Sequence, residues 1–145
     1  MPVVEKSALV PFSDRQMFDL VKHVVRYPEF LPWCHAAELL SDDGHKVCGR
    51  IEVARMGIRQ SFATCNGYEA PRWMNIELVE GPFKSLHGRW DFQALREDAC
   101  KVMLRLEFEF SGQLIDAAFG KVFHRIANTL VESFCKRARD VYGEG

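Results

Sequence analysis

The chain has no CxxC pair, no long run of like charges, no low-complexity linker and no apolar stretch of membrane-spanning length. Each absence removes a class of protein. Without clustered Cys and His a zinc site has no ligand set; Cys34-His35 is a lone adjacent pair. Nineteen Lys and Arg against twenty Asp and Glu leave a net charge of −1. Non-specific nucleic-acid binding is therefore not a property of the whole surface, although a local basic patch is compatible with this balance. Glu5 and Lys6 come too early for a secretory h-region, and no apolar run approaches the ~20 residues of a spanning helix. GxGxxG, P-loop, GxSxG and HExxH motifs are missing, which removes the commonest nucleotide, esterase and metalloprotease signatures. Five cysteines, an odd number and widely spaced, read as reduced thiols of a cytoplasmic protein.

What is present suits one globular domain over 1–145, with 48% hydrophobic residues and Phe supplying 11 of 17 aromatics. Val3 to Val10 reads as a strand ending at Pro11. Ser13-Asp14 then caps an amphipathic helix carrying Met17, Phe18, Leu20 and Val21, because a side-chain oxygen there satisfies a first-turn amide. Tyr27-Pro28-Glu29-Phe30-Leu31-Pro32-Trp33-Cys34 is too proline-rich for a regular helix and too apolar for a solvated loop. It is expected to form a plug or lid, with Phe30, Leu31 and Trp33 available at a lip.

Strands of period two follow. Ala37 to Leu40 is short and ends in Ser41-Asp42-Asp43-Gly44, a hairpin signal. Val47, Gly49, Ile51 and Val53 share one face; after a reversal at Gly57, Ile58, Gln60, Phe62 and Thr64 share another. Asn66-Gly67 and Pro71 sit near the next reversal. Met74, Ile76 and Leu78 alternate with polar residues, as do Leu86, Gly88, Trp90 and Phe92. The last strand is the clearest, with Cys100, Val102, Leu104, Leu106, Phe108 and Phe110 on one face and Lys101, Arg105, Glu107 and Glu109 on the other. Such alternation calls for an antiparallel sheet with one wet face.

From Gln113 to Tyr142 the period changes to a helix. Lys121, Arg125, Asn128, Glu132, Lys136 and Arg139 make one polar stripe, opposed by a very wide apolar arc that runs from Leu114 to Val141. Glu132 and Lys136 have the spacing of a helix ion pair. A broad apolar arc needs a curved cover, and a sheet with one apolar face needs a partner. The expected fold is α+β, a curved antiparallel sheet of about seven strands wrapped around a long C-terminal helix.

Acid–base machinery is sparse. His23, His35, His45 and His87 fall at rims, His124 lies beside the polar stripe, and Glu107 and Glu109 read as solvent-facing charge. Aromatic lining is abundant instead: Phe62, Trp90, Phe92, Phe108 and Phe110 from the sheet face Phe119, Phe123 and Phe134 from the helix. Gln60 and Thr64 place polar atoms on this inner face, and Gly88 leaves a gap between Leu86 and Trp90. A few polar groups within an apolar concavity are what a ligand cavity requires.

Three segments resemble the START-like family of coenzyme Q-binding proteins: Tyr27 to Cys34 (YPEFLPWC), Gly81 to Phe92 (GPFKSLHGRWDF), and Leu130 to Ala138 (LVESFCKRA). They are spread over nearly the whole chain. The resemblance implies a helix-grip (SRPBCC) fold with a cavity between sheet and helix, no required cofactor, and ubiquinone or a similar isoprenoid lipid as ligand in support of respiration. Phe30, Leu31, Trp33, Phe62, Trp90, Phe92, Leu106, Phe108, Phe119, Val122, Phe123 and Ile126 would contact that ligand, and the plug would gate it, with transient contact to the inner membrane. In a bacterial toxin branch the resemblance implies binding to the large ribosomal subunit and blocking of its joining with the small one, for which Lys121, Arg125, Lys136 and Arg139 are the candidate contacts. The wider superfamily contains polyketide cyclases; here no residue set converges on acid–base work, so a non-catalytic binding protein is expected.

Overall fold

Residues 2–143 are described by the computed structural model. β1 (Val3–Val10) leads to α1 (Asp14–Lys22) and a short 3-10 helix (Val24–Glu29). Six strands follow in succession: β2 (Cys34–Asp42), β3 (Lys46–Arg55), β4 (Ile58–Glu69), β5 (Trp73–Glu80), β6 (Phe83–Arg96) and β7 (Ala99–Phe110). α2 (Gln113–Tyr142) closes the chain. All seven strands form one antiparallel sheet in the order β1-β7-β6-β5-β4-β3-β2. Sequential hairpins build it from β2 to β7, and β1 pairs with β7, from Val3 opposite Glu107 to Val10 opposite Cys100. This is the helix-grip arrangement, with α2 across the concave face.

Local chemistry explains the elements. Ser13 accepts from the Gln16 amide while Gln16 Oε1 accepts from the Ser13 amide, a reciprocal capping box that starts α1. Met56 and Gly57 both have positive φ, 52° and 80°. A two-residue turn of this hand suits the right-handed twist of β3 and β4. On β7 the period-two pattern holds throughout: Cys100, Val102, Leu104, Leu106, Phe108 and Phe110 are all buried, while Arg105 and Glu109 are exposed.

The segment from β1 to β2 joins the two edges of the sheet, so α1, the 3-10 helix and the plug close the concave face beside α2. Lys22 Nζ lies 3.0 Å from Asp42 Oδ2, and Tyr68 donates to Asp42 Oδ1 at 2.7 Å, tying the end of α1 to the end of β2. Burial opposes ionisation of Asp42, yet hydrogen bonds from Tyr68, the Gly44 amide and Lys22 hold its carboxyl below the usual range.

The apolar side chains divide into two clusters. One gathers Phe18, Trp90, Phe92 and Phe134 around α1 and the ends of β6 and β7. The other is a phenylalanine nest in which Phe123 lies 4.9 Å from both Phe83 and Phe108, with Phe110 and Phe119 around them.

Four expectations are corrected. The apolar arc of α2 is narrower than its sequence suggests: Leu114 is 87% exposed and Val141 49% exposed, since the ends of a 30-residue helix extend past the covered zone. β2 begins at Cys34 rather than Ala37, running directly out of the plug. Cys48 and Cys65 form a disulfide, because the β3–β4 register sets them opposite each other with Cα atoms 4.1 Å apart; Cys34, Cys100 and Cys135 remain thiols. Gly88 is a close approach and no gap. A Cβ there would sit 2.4 Å from the Arg105 carbonyl oxygen and 2.9 Å from Leu106 Cδ1. Because the first obstacle is backbone, Gly88→Ala is expected to lower stability by about 2 kcal/mol, in line with overpacking costs of ~1–3 kcal/mol. An unchanged urea midpoint would refute this account of Gly88.

Candidate functional site

The plug forms because Pro28 and Pro32 stop regular helix, leaving one 3-10 turn and a tight descent into β2. The Leu31 amide donates to the Tyr27 carbonyl and the Cys34 amide to the Leu31 carbonyl, at 2.9 Å each. Leu31 (1% exposed) and Trp33 (8% exposed) turn inward, so the apolar lip expected here faces the core and not the solvent. Phe30 is half-buried, its ring 5.3 Å from Phe134 and beneath the Arg137 guanidinium at 4.9 Å. Arg137 also donates to Glu29 at 2.6 Å, anchoring the plug to α2. Hydrogen bonds from Arg26 and Arg137 hold the Glu29 carboxyl below the usual carboxylate range. Within the plug, burial pushes the Cys34 thiol up to about 11, which leaves it a poor nucleophile at neutral pH.

Behind the plug lies a cavity of about 90 Å³, at the junction of the two apolar clusters. Trp33, Phe62, Trp90, Leu106, Phe123 and Ile126, all expected to contact ligand, are brought together in its wall. Leu31, Phe92, Phe108 and Phe119 are buried elsewhere, in the solid parts of the two clusters or under the plug. Val122 lines an outer groove instead, and Phe30 lies outside both spaces.

The helix contributes differently from expectation. The sequence suggests a cavity wall from Leu114 to Ile126 and an anchor from Leu130 to Val141. In the structure the wall is the middle of α2, with Phe123, Ile126, Ala127, Leu130 and Phe134, whereas Phe119 belongs to the solid phenylalanine nest. Helical periodicity identifies the buried face but not the level at which packing fails.

Polar groups enter the cavity from β4 and the plug. Thr64 is buried at its wall, and Asn66 follows two residues later on the same face. The Asn66 Oδ1 is buried without a hydrogen-bond partner, and its Nδ2 has only the Met74 sulfur, at 4.0 Å. Tyr27 also lines the space; its hydroxyl donates to the Val21 carbonyl, and burial raises its pKa. Gln60, expected to point inward with Thr64, does not line the cavity. Asn66 was legible only as part of an Asn-Gly turn signal. β4 instead continues through it to Glu69, so the residue lands inside the sheet.

The outer groove, about 440 Å³, runs between the plug, the β3–β4 hairpin and α2. Trp33 and Ile126 line both groove and cavity and so form the partition between them. Arg55, Lys121 and Arg125 stand on its rim. Lys121, Arg125, Lys136 and Arg139 are all exposed along α2. Glu132 and Lys136 do not pair with each other; the ion pair that α2 forms among the described residues is Arg137 with Glu29.

A family profile described as "Polyketide cyclase / dehydrase and lipid transport" matches residues 10–135. The chain belongs to that family. Full-length relatives carry a more specific name. The ribosome association toxin RatA of Vibrio cholerae is 46% identical over 144 residues, covering 99% of this chain and 100% of the relative. RatA of Pseudomonas aeruginosa is 43% identical, covering 97% of each chain. A mitochondrial coenzyme Q-binding protein, COQ10 homolog B of Xenopus laevis, is 25% identical over 95% of this chain and 58% of its own length. Among solved structures, the Zhui aromatase/cyclase from a Streptomyces species superposes with a TM-score of 0.83 at 15% identity, covering 97% of this chain and 95% of that one. A START superfamily protein from Mycobacterium smegmatis gives 0.75 at 19%, with 96% and 98% covered. At such identities the likeness establishes the shared fold alone.

The unpartnered amide makes a direct stability prediction. Asn66→Leu replaces a buried amide by an apolar side chain with the same branching at Cγ, and the adjoining cavity has room for its larger methyl groups, so stability is expected to stay level or rise by about 1 kcal/mol. A thermal or denaturant midpoint that falls by a similar amount would mean the amide is already satisfied and would refute this reading of the cavity wall.

Proposed function

We propose that this chain associates with the ribosome, acting in the cytoplasm without catalysis on the large subunit and blocking its joining with the small one. The observation that carries the reading is end-to-end likeness, at up to 46% identity, to proteins named for ribosome association. The surface supplies a physical means. Lys121, Arg125, Lys136 and Arg139 are exposed, form no ion pair among the described residues, and follow one face of α2 for 18 residues, about 27 Å at 1.5 Å per residue. Unpaired cations along one face, interrupted by Glu132, suit phosphates, and each phosphate neutralised releases counterions. A local stripe of this kind is compatible with a net charge of −1.

The test is sucrose-gradient sedimentation of lysates containing the overexpressed protein. Wild type is expected to travel with the large subunit and to deplete assembled ribosomes. Replacing Lys121, Arg125, Lys136 and Arg139 together by Glu is expected to leave the protein at the top of the gradient and restore the profile. Folding should persist, since exposed substitutions cost within about 0.5 kcal/mol each. An unchanged ribosome profile without co-migration of wild type would reject the reading.

A second reading, compatible with the first, is a hydrophobic ligand, ubiquinone or a related isoprenoid, that occupies the outer groove and the cavity behind the plug together. It is supported by the aromatic cavity with an unpartnered amide and by the more distant coenzyme Q-binding relative. At roughly 25 cal/mol per Å² of apolar surface removed from water, a few isoprene units supply ample driving force. Organic extraction of the purified protein followed by mass spectrometry is expected to release such a lipid. An empty protein that also refuses added quinone would remove this reading and leave the first untouched.

A further inference from the structure

The outer groove combines two properties that seldom adjoin by accident. Its floor is apolar, with Trp33, Ile58, Val122 and Ile126 exposed to one space. Its rim carries Arg55 from β3 and Lys121 and Arg125 one turn apart on α2, and no carboxylate lines it. Several arginines of the sheet are tied down: Arg50 to Glu38 and Glu80, Arg89 to Asp91, Arg105 to Glu5 and Glu107. The three rim cations form no ion pair among the described residues, a condition that leaves their mutual repulsion uncompensated. A concave apolar surface focuses that positive potential and would draw an anion to the rim.

We propose that this groove binds a single-chain lipid with a phosphate head. Arg55, Lys121 and Arg125 hold the phosphate, and the hydrocarbon lies over the floor and passes Trp33 and Ile126 toward the inner cavity. Phosphate fits better than carboxylate because a phosphomonoester carries about −1.5 to −2 charges at neutral pH, closer to the three cations that face it. Two of the three are arginines, whose planar fork engages phosphate oxygens in pairs. The groove's 440 Å³ falls within the roughly 300–1,000 Å³ usual for small-molecule sites, which the 90 Å³ cavity alone does not reach. The proposal rests on the second reading above, that this region takes a hydrophobic ligand, and it adds the head group and the residues that select it.

The experiment titrates the purified protein with dodecyl phosphate, dodecanoate and dodecanol, each below its micelle-forming concentration, by calorimetry and by intrinsic tryptophan fluorescence, to which Trp33 in the groove contributes. Dodecyl phosphate is expected to bind at least about 10-fold more tightly than dodecanol at low salt, with dodecanoate between them, and the advantage should shrink as salt rises. The triple variant R55Q/K121Q/R125Q is expected to erase the advantage while leaving dodecanol affinity unchanged. Equal binding of phosphate and alcohol would overturn the head-group assignment and leave the hydrophobic site standing. Failure of all three probes to bind would overturn both. A phosphate preference that survives the triple substitution would place the head elsewhere and overturn the proposal as well.

Discussion

A single helix has to cover one face of a seven-stranded sheet, and the rest of the structure follows from that mismatch. Seven strands at about 4.8 Å spacing measure roughly 34 Å across, whereas a helix with its side chains is about 10–12 Å wide. The sheet curls to meet α2 from both sides, and the β1–β2 connection brings α1 and the plug over the remainder. The covering is complete at the two ends, where phenylalanine rings pack at one and the α1 cluster at the other. Between them it is not, and the cavity occupies that junction.

The cavity's polarity follows from strand phase. Thr64 and Asn66 sit two residues apart on β4, so a pleat that turns one inward turns the other inward too. A buried oxygen without a partner is costly in a packed core, and it is tolerated where a space beside it can be filled. The plug completes the enclosure, held through Glu29 and Phe30 by Arg137 and through Tyr27 and Phe30 by Phe134.

Lys121 and Arg125 belong to two surfaces at once. They begin the cationic stripe of α2 and also stand on the rim of the groove that the Trp33 and Ile126 partition separates from the cavity. Any phosphate they hold, on a nucleic acid or on a small molecule, neutralises the same charges. Were both proposed activities to hold, a phosphate-bearing ligand and a ribosome would compete for Lys121 and Arg125, because unneutralised cations are what both would use.

Much of this was legible in the residues. Alternation along β6 and β7 fixed which side chains face inward, Ser13 marked the start of α1, and the change from period two to period 3.6 after Gly112 announced α2. Six of the expected ligand contacts meet around one cavity because strand and helix phase are local properties. The failures share a cause. Gly88 looked like a gap and is a contact with the Arg105 backbone; Asn66 looked like a turn and lies in the sheet; Cys48 and Cys65, 17 residues apart, are brought opposite by the β3–β4 hairpin. Leu31 and Trp33 looked like a lip and are buried. The sequence by itself determined the order of elements, the buried face of each, and the family. Only the tertiary structure decided where two packed clusters fail to meet, which polar atom is left without a partner there, and that Arg55 of β3 shares one rim with Lys121 and Arg125 of α2. Periodicity encodes direction, whereas cavities and charge clusters depend on distances between segments that no local pattern contains.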